Sequence, residues 1–357
     1  MSNPIRIGLV GLGRAGMHGH LRELANYPDR FVVRAGYDPI PERRAELQEK
    51  TGARPHDSLD ALIDDPEVEL VDVANRSVDH FETVSRALDA GKIALVEKPM
   101  SVTHDDARRL VERDRELGGG RLYVRHNRRF DPDFVHLQEI IGSGILGTVY
   151  EIKLRRHKFD RRNDWQTVRE YGGGQLLNWG AHVVDHALQL LGGPVASMWS
   201  DLKRVAAAGD AEDHVRIVLR GEPLSGSGAG GGHGGLGGRV VDVEISGGVA
   251  IGEPIYQVYG TRGTLAGSTS EFTLRYIDPK TELAQKEVDL APPNGYGSGE
   301  ELPWIDETRT VAPSTRETMW DGLYAAIRED GTYPITNEQA LEVMRVIGEA
   351  RAGTAFA

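Results

Sequence analysis

The chain has 357 residues, with 44 glycines, 17 prolines and no cysteine, and its 54 acidic side chains outnumber 42 basic ones for a formal charge of −12. That charge argues against nucleic acid as the main partner, because phosphate neutralisation needs a basic face. The missing thiols exclude disulfides, a thiolate nucleophile and iron–sulfur chemistry. The amino terminus has no signal-like segment and no apolar run approaches a membrane span, so a cytoplasmic protein without a membrane partner is expected.

The length suggests two domains. Residues 5–125 alternate short apolar runs with amphipathic stretches, the pattern of parallel strands joined by helices. Strands are predicted at Ile5–Val10, Phe31–Tyr37, Leu70–Val73, Ile93–Glu97 and Leu122–Val124. Helices are predicted between them at Ala15–Asn26, Pro41–Thr51, Asp79–Ala90 and Thr103–Leu117, with Pro41 suited to a first helical turn and Thr103 able to cap towards Asp106. Five strands so connected make a doubly wound α/β sheet. The boundary is placed near Tyr123–His126, giving a first domain over 1–124 and a second over 125–357.

In the second domain a helix at Pro132–Ile141, a strand at Gly147–Arg156 and a helix at Gln175–Leu191 come first. Strand-like segments then follow without helices between them: Val195–Lys203, His214–Leu219, Val240–Ile245, Ile255–Tyr259 and Phe272–Ile277. Consecutive strands without crossovers favour an antiparallel or mixed sheet. Two helices close the chain, Ser314–Arg328 and Asn337–Ala352, the second opened by a capping box of Thr336 and Gln339. Nine glycines crowd Ser225–Gly238 between two strands, which reads as a flexible hairpin loop. The small basic clusters Arg128–Arg129 and Arg155–Arg156 read as solvated surface.

Three motifs carry chemistry. Gly11-Leu12-Gly13-Arg14-Ala15-Gly16 follows the first strand and opens the first helix. Its first glycine permits a tight turn, its second lets backbone approach a pyrophosphate, and its third lets helix pack on strand, so that the loop cradles dinucleotide phosphates at a helix amino terminus. Asp38 ends the second strand, where a carboxylate accepts hydrogen bonds from both ribose hydroxyls and repels a 2′-phosphate. NAD is therefore expected over NADP, with Arg43 and Arg44 close by. Glu97-Lys98-Pro99 closes the fourth strand at the carboxyl edge where such sheets bind ligands. Beside an oxidised nicotinamide the Lys98 ammonium has its pKa lowered and can polarise a substrate hydroxyl.

The third motif lies on the helix after Gly172–Gly174, a turn read as flexible. Helical spacing puts Asn178, His182, Asp185 and His186 on one polar strip among Leu176, Leu177, Val183, Val184 and Leu188. Histidine is the natural base for a hydroxyl at neutral pH. The spacing of His182 and His186 also suits a metal, and both histidines also suit a hydrogen-bonded domain interface. No glutamate base in HExxH form accompanies them, and no metal is expected.

Together with Asn127-Arg128-Arg129-Phe130-Asp131-Pro132 and Tyr259-Gly260-Thr261-Arg262-Gly263-Thr264-Leu265, these residues resemble the Gfo/Idh/MocA family of nicotinamide-dependent sugar and polyol oxidoreductases. The resemblance implies a Rossmann domain followed by an α+β domain with an open, mostly antiparallel sheet whose face makes dimers or tetramers. It places Lys98, Asn178 and His182 around the carbon that gives up hydride, with Asn178 standing where the family has aspartate. An amide hydrogen-bonds a sugar hydroxyl but takes no proton, which leaves His182 as base, Lys98 as its electrostatic partner and Asp185 as an orienting carboxylate. By the same resemblance Asn75, Arg76, His80 and the strand end Glu97–Lys98 border the cofactor. Asn127, Arg129, Trp165 and Trp179 join Lys98, Asn178, His182 and Asp185 around the substrate.

The function so implied is NAD-dependent hydride transfer at a secondary hydroxyl of a sugar, polyol or derivative. Two alternatives remain: a redox-assisted glycosidase or lyase in which NAD is recycled, and a non-catalytic NAD- or sugar-binding regulator.

Overall fold

The computed structural model describes residues 3–223, 237–284, 288, 290, 300–314 and 318–357. Almost all of the glycine-dense run Ser225–Gly238 lies outside the described residues. Six parallel strands form the first sheet: β1 (Ile5–Val10), β2 (Phe31–Tyr37), β3 (Arg54–Pro55), β4 (Leu70–Val73), β5 (Ile93–Glu97) and β6 (Leu122–Arg125), in the order β3-β2-β1-β4-β5-β6. Five of these were expected, and β3 adds a two-residue edge. The helices are α1 (Leu21–Leu24), continuing a π-wound turn at Arg14–His20, then α2 (Pro41–Thr51), α3 (Leu59–Ile63), α4 (His80–Asp89) and α5 (His104–Glu116). Pro41 starts α2, and the Thr103 side chain accepts from the Asp106 backbone N–H to cap α5.

The sheet is apolar on both faces because helices cover both. Alternation sorts its side chains: Val71, Val73, Ala94 and Val96 face one core with Val84, Leu88 and Leu110. Ile5, Ile7, Leu70 and Leu95 face the other. What covers that second face comes from the far end of the chain. α8 (Met319–Arg328), opened by a Thr318/Asp321 capping box, buries Met319, Trp320 and Leu323 against it. Ion pairs Arg30–Asp321 at 2.7 Å and Arg328–Glu69 at 2.7 Å fasten the two ends of the helix.

After β6 come α6 (Pro132–Gly142), strand β7 (Val149–His157), a π-wound turn at Leu176–Gly180 and α7 (Ala181–Leu191). The strands β8 (Val195–Lys203), β9 (His214–Pro223), β10 (Gly238–Ser246), β11 (Tyr256–Gly260), β12 (Gly263–Gly267), β13 (Glu271–Ile277) and β14 (Trp304–Thr310) complete an eight-stranded sheet with β7, in the order β14-β13-β12-β11-β7-β10-β9-β8. Only β7 and β10 run parallel; every other pairing is antiparallel. β12 and β14 were not anticipated. One face packs Ile152, Leu154, Ile217, Leu219, Val241 and Val243 under α7 and α9 (Asn337–Arg351), and the Thr336/Gln339 capping box forms as expected. Gly172–Gly174 is not a loose turn: a Cβ on Gly174 would lie 2.3 Å from Glu212 Oε1, which accepts from the Leu176 N–H at 3.0 Å. Among the described residues no helix is long and apolar enough to cross a membrane.

Candidate active site

The glycine loop divides by cause. Gly11 has φ +92°, and a Cβ there would meet the Asn75 backbone N at 2.4 Å; at Gly16 it would meet Gly11 O at 2.2 Å. Both therefore serve the closing of β1, β4 and the first helix on one another. At Gly13 the nearest atom is Arg43 Nη1 at 3.8 Å, so this glycine alone presents open backbone to a ligand. Leu12 precedes it, and Arg14 and Ala15 follow it into the π-wound turn. The buried Asp38 carboxylate accepts from Leu12 N and Ile40 N, each at 2.9 Å, and from Arg43 Nη1 at 3.3 Å. It is thus locked beside the loop, where an adenosine ribose would meet it. Arg44 donates to the Asp38 backbone carbonyl and to Asp57, each at 2.8 Å.

Two of the expected cofactor contacts turn inward, because their polar atoms are already spent. Glu97 Oε1 accepts from His20 Nε2 at 2.8 Å and Arg125 Nη1 at 2.7 Å, while Oε2 accepts from the Lys98 N–H at 3.0 Å. His80 is buried and donates from Nδ1 to the Pro99 carbonyl at 2.7 Å. Both hold the backbone around Lys98. Asn75 donates to Thr83 Oγ1 at 2.9 Å and leaves its own Oδ1 buried without a hydrogen bond among the described residues, and Arg76 stacks over Tyr171 at 4.9 Å.

Sequence reading missed the layer below. His20, fully buried on the π-wound turn, also reaches Asp72 at 2.8 Å, and Arg125 reaches Glu23 at 2.5 Å, which in turn accepts from Trp320 Nε1 at 2.8 Å. Burial works against charge on His20, but Asp72 and Glu97 outweigh it and hold its pKa up to about 9. Arg125 opposes the charge as well. The partners lie 52 and 77 residues away in sequence, so no local spacing announces them.

Lys98 projects from this base and donates from Nζ to the Asn178 backbone carbonyl at 3.2 Å, joining the edge of the first sheet to the second domain. Burial pushes its ammonium down; Glu97 pulls it back up, and Arg128 and Arg125 push it further down. His182 is buried, and its Nδ1 has no hydrogen-bond partner among the described residues. Burial, then Lys98 and Arg128, hold its pKa well below the ordinary 6.5, so the ring is neutral at physiological pH. It lines a cavity of about 80 Å³ with Trp179, Arg128, Arg156, Asp133 and Tyr256. A neutral imidazole lining a cavity, under the electrostatic influence of an ammonium, is the arrangement of a base facing a hydroxyl whose oxygen gains charge.

Other expected site residues are placed elsewhere. Asp185 does not orient His182: it is buried in an ion pair with Arg129, at 2.6 Å, and Arg129 also donates to Gln339 at 2.7 Å. These two side chains bind each other and α9, and neither lines the cavity. His186 stacks on Phe134 at 3.7 Å and donates to the Arg128 carbonyl; it borders the same cavity as His182, and Asp185 does not. The Asn178 amide donates to Gln166 at 3.2 Å. Trp165 and Asn127, both half-buried on single helical turns, are not part of the cavity lining. The basic clusters are not solvated surface either. Each splits, Arg129 and Arg155 going to Asp185 and Asp242 while Arg128 and Arg156 reach the cavity over Trp179 at 4.5 Å and 3.8 Å.

Residues 5–126 match the profile of an oxidoreductase family with an NAD-binding Rossmann fold, and residues 134–266 match the GFO/IDH/MocA C-terminal domain. The scyllo-inositol 2-dehydrogenase (NADP(+)) IolW of Bacillus subtilis is 25% identical over 98% of this chain and 93% of its own. The inositol 2-dehydrogenase 2 of Saccharopolyspora erythraea is 30% identical over 76% of this chain and 73% of its own. Among solved structures, an NAD-binding protein from Listeria innocua shares the fold with a TM-score of 0.78 at 22% identity, over 98% of this chain and 97% of that one. The chain belongs to the GFO/IDH/MocA family of oxidoreductases, and its first domain is the family's nicotinamide dinucleotide-binding Rossmann domain.

Proposed function

We propose that the protein is a dehydrogenase of a secondary hydroxyl on a polyol or sugar, with NAD as the preferred dinucleotide. The observation that carries this is His182, neutral and with a free ring nitrogen, in a cavity beside the Lys98 ammonium. The residues present fit a dinucleotide. Gly13 offers a backbone surface that no Cβ closes, and Asp38 stands fixed beside it for the ribose. When bound, NAD accepts the hydride from the substrate carbon. His182 takes the hydroxyl proton, Lys98 stabilises the charge growing on that oxygen, and His80 and Glu97 fix the peptide that carries Lys98. Asn178 holds Lys98 through its carbonyl and so contributes position, not proton transfer.

The inositol dehydrogenases among the relatives support a polyol. For the dinucleotide, Asp38 supports NAD although IolW is an NADP enzyme by name. The exposed Trp199, Trp304 and Ile305 on the outermost strands of the second sheet support association with further copies of the chain.

The test is absorbance of the reduced nicotinamide across a panel of inositols, alditols, sugars and their keto forms. At least one substrate is expected to turn over and to stop doing so in His182→Ala. Product from a glycoside without net reduced nicotinamide indicates a recycling glycosidase or lyase instead. Tight NAD binding with no turnover of any compound indicates the regulator, the reading that the inert Asn178 amide favours.

A further inference from the structure

The cavity contains a cation that no side chain among the described residues pairs directly. Arg156 lies on β7, half-buried, and forms no ion pair or hydrogen bond among the described residues; its guanidinium rests only on the Trp179 ring, 3.8 Å from the centroid. Its sequence neighbour Arg155 also borders the cavity, but its guanidinium is paired with Asp242 at 2.9 Å and Glu253 at 3.3 Å. Arg128 lies over the same indole and spends Nη1 on Asp131 at 2.8 Å, but its Nε is buried without a hydrogen-bond partner among the described residues.

Asp131 and Asp133 line the same cavity and attract Arg156 from a distance, but their hydrogen bonds go elsewhere: Asp131 accepts from Arg128 at 2.8 Å and Asp133 from the Tyr256 hydroxyl at 2.8 Å. Burial, then Arg128, pushes Arg156 down against the pull of Tyr256, Asp133 and Asp131. Stacking on the indole leaves the edge of a guanidinium free, and that edge matches a carboxylate through two parallel hydrogen bonds. Trp179 lies 5.9 Å from the His182 ring and 3.8 Å from Arg156 Cζ. All three line one cavity, so one molecule bound there meets both the base and the guanidinium.

We propose that the substrate is a polyol or sugar bearing a carboxylate, an aldonate or uronate, whose carboxylate is held by Arg156 and the unspent edge of Arg128 while a secondary hydroxyl meets His182. This deepens the dehydrogenase reading and rests on it. A phosphate ester is the competing anion; the small cavity, walled by Leu154, Val183 and Ile255, favours the smaller planar group.

The experiment is calorimetric titration of the full chain with NAD present. The probes are gluconate and glucuronate, their neutral counterparts glucitol and glucose, and glucitol 6-phosphate, with nicotinamide reduction followed in parallel. At least one carboxylate is expected to bind about tenfold or more tightly than its neutral counterpart, a difference of about 1.4 kcal/mol. Arg156→Gln is expected to erase that preference and Arg156→Lys to keep part of it, with unchanged melting curves showing that both variants fold. Equal or tighter binding of the neutral probes, no binding of either carboxylate, tighter binding of the phosphate, or a preference untouched by Arg156→Gln overturns the proposal. Reduction of nicotinamide by neutral polyols alone overturns it while leaving the dehydrogenase standing. Arg156-dependent carboxylate binding without reduction by any probe does the reverse.

Discussion

The Lys98 ammonium donates to the backbone carbonyl of Asn178 at 3.2 Å across 80 residues of sequence, so the end of a parallel strand and the π-wound entry to a helix of the second domain share one hydrogen bond. This contact fixes the lysine near enough to His182 for its charge to act on the ring. It also replaces the side-chain role that the motif suggested for Asn178.

Removing either group should expose the chemistry. Lys98→Met and His182→Ala are each expected to lower turnover by about 10²–10⁴-fold, the usual worth of a positioned acid–base group. Circular dichroism should show the fold retained. Turnover of an identified substrate within about twofold of the parent in His182→Ala would rule out the histidine as base.

The pH profile carries a signed expectation. Oxidation needs His182 unprotonated, and burial, Lys98 and Arg128 hold its pKa well below 6.5, so the acid limb of kcat/KM should lie below pH 6.5. Lys98→Met removes a neighbouring cation, which favours the protonated ring, and should move that limb upward. A limb that stays in place in the residual activity of Lys98→Met would show that the two charges do not interact.

The buried His20 ties stability to pH. Its folded pKa of about 9 exceeds the ordinary 6.5, so the stabilisation from the charged form is complete below pH 6.5 and is lost as pH rises towards 9. The full effect is of order 3 kcal/mol. Chemical denaturation of the parent should weaken across that interval, and His20→Gln should be less stable at pH 6 yet nearly flat. A parent curve that rises from pH 6.5 to 9 would refute the charged assignment.

The glycine loop offers a paired test. Gly11→Ala places a side chain at φ +92° and 2.4 Å from Asn75 N, and should lower Tm by several degrees. Gly13→Ala meets nothing within 3.4 Å and should keep Tm while weakening NAD by about tenfold or more, read by fluorescence titration. Equal effects of both on Tm would mean that Gly13 is structural too.

Asp38→Ser should shift preference towards NADP, with Arg43 left free to meet the 2′-phosphate. The ratio of kcat/KM for the two dinucleotides measures it. A parent that already favours NADP would remove Asp38 from its assigned part.

Much of the fold was legible because buried parallel strands are continuous apolar runs: β1, β2, β4 and β5 begin and end where the hydrophobicity does. β14 was not, since Trp304-Ile305-Asp306-Glu307-Thr308-Arg309-Thr310 is a largely exposed edge strand with no apolar run to mark it. β12 pairs through Gly263 and Gly267, and α3 is five residues long, too short for a helical period. At the site, the motifs led to Lys98, His182, Asp38 and the loop. They misled on Arg129 and Asp185, whose pairing across 56 residues no local spacing records. Arg128 and Arg156 read as solvated surface for a related reason: a doubled arginine looks alike whether its members face water or divide between an ion pair and a cavity.

Trp320 and Leu323 have one more consequence. They cap the face of the first sheet that carries Ile5, Ile7, Phe31, Leu70 and Leu95. A fragment ending at Val124 would contain every strand up to the last of that sheet and the whole glycine loop, yet one side of it would be bare hydrocarbon. Such a cassette should aggregate or bind hydrophobic dyes, and supplying residues 318–357 as a separate peptide should rescue it. Evolution or an engineer wishing to graft this nucleotide-binding unit onto another catalyst must therefore carry along the tail of the gene as well as its head.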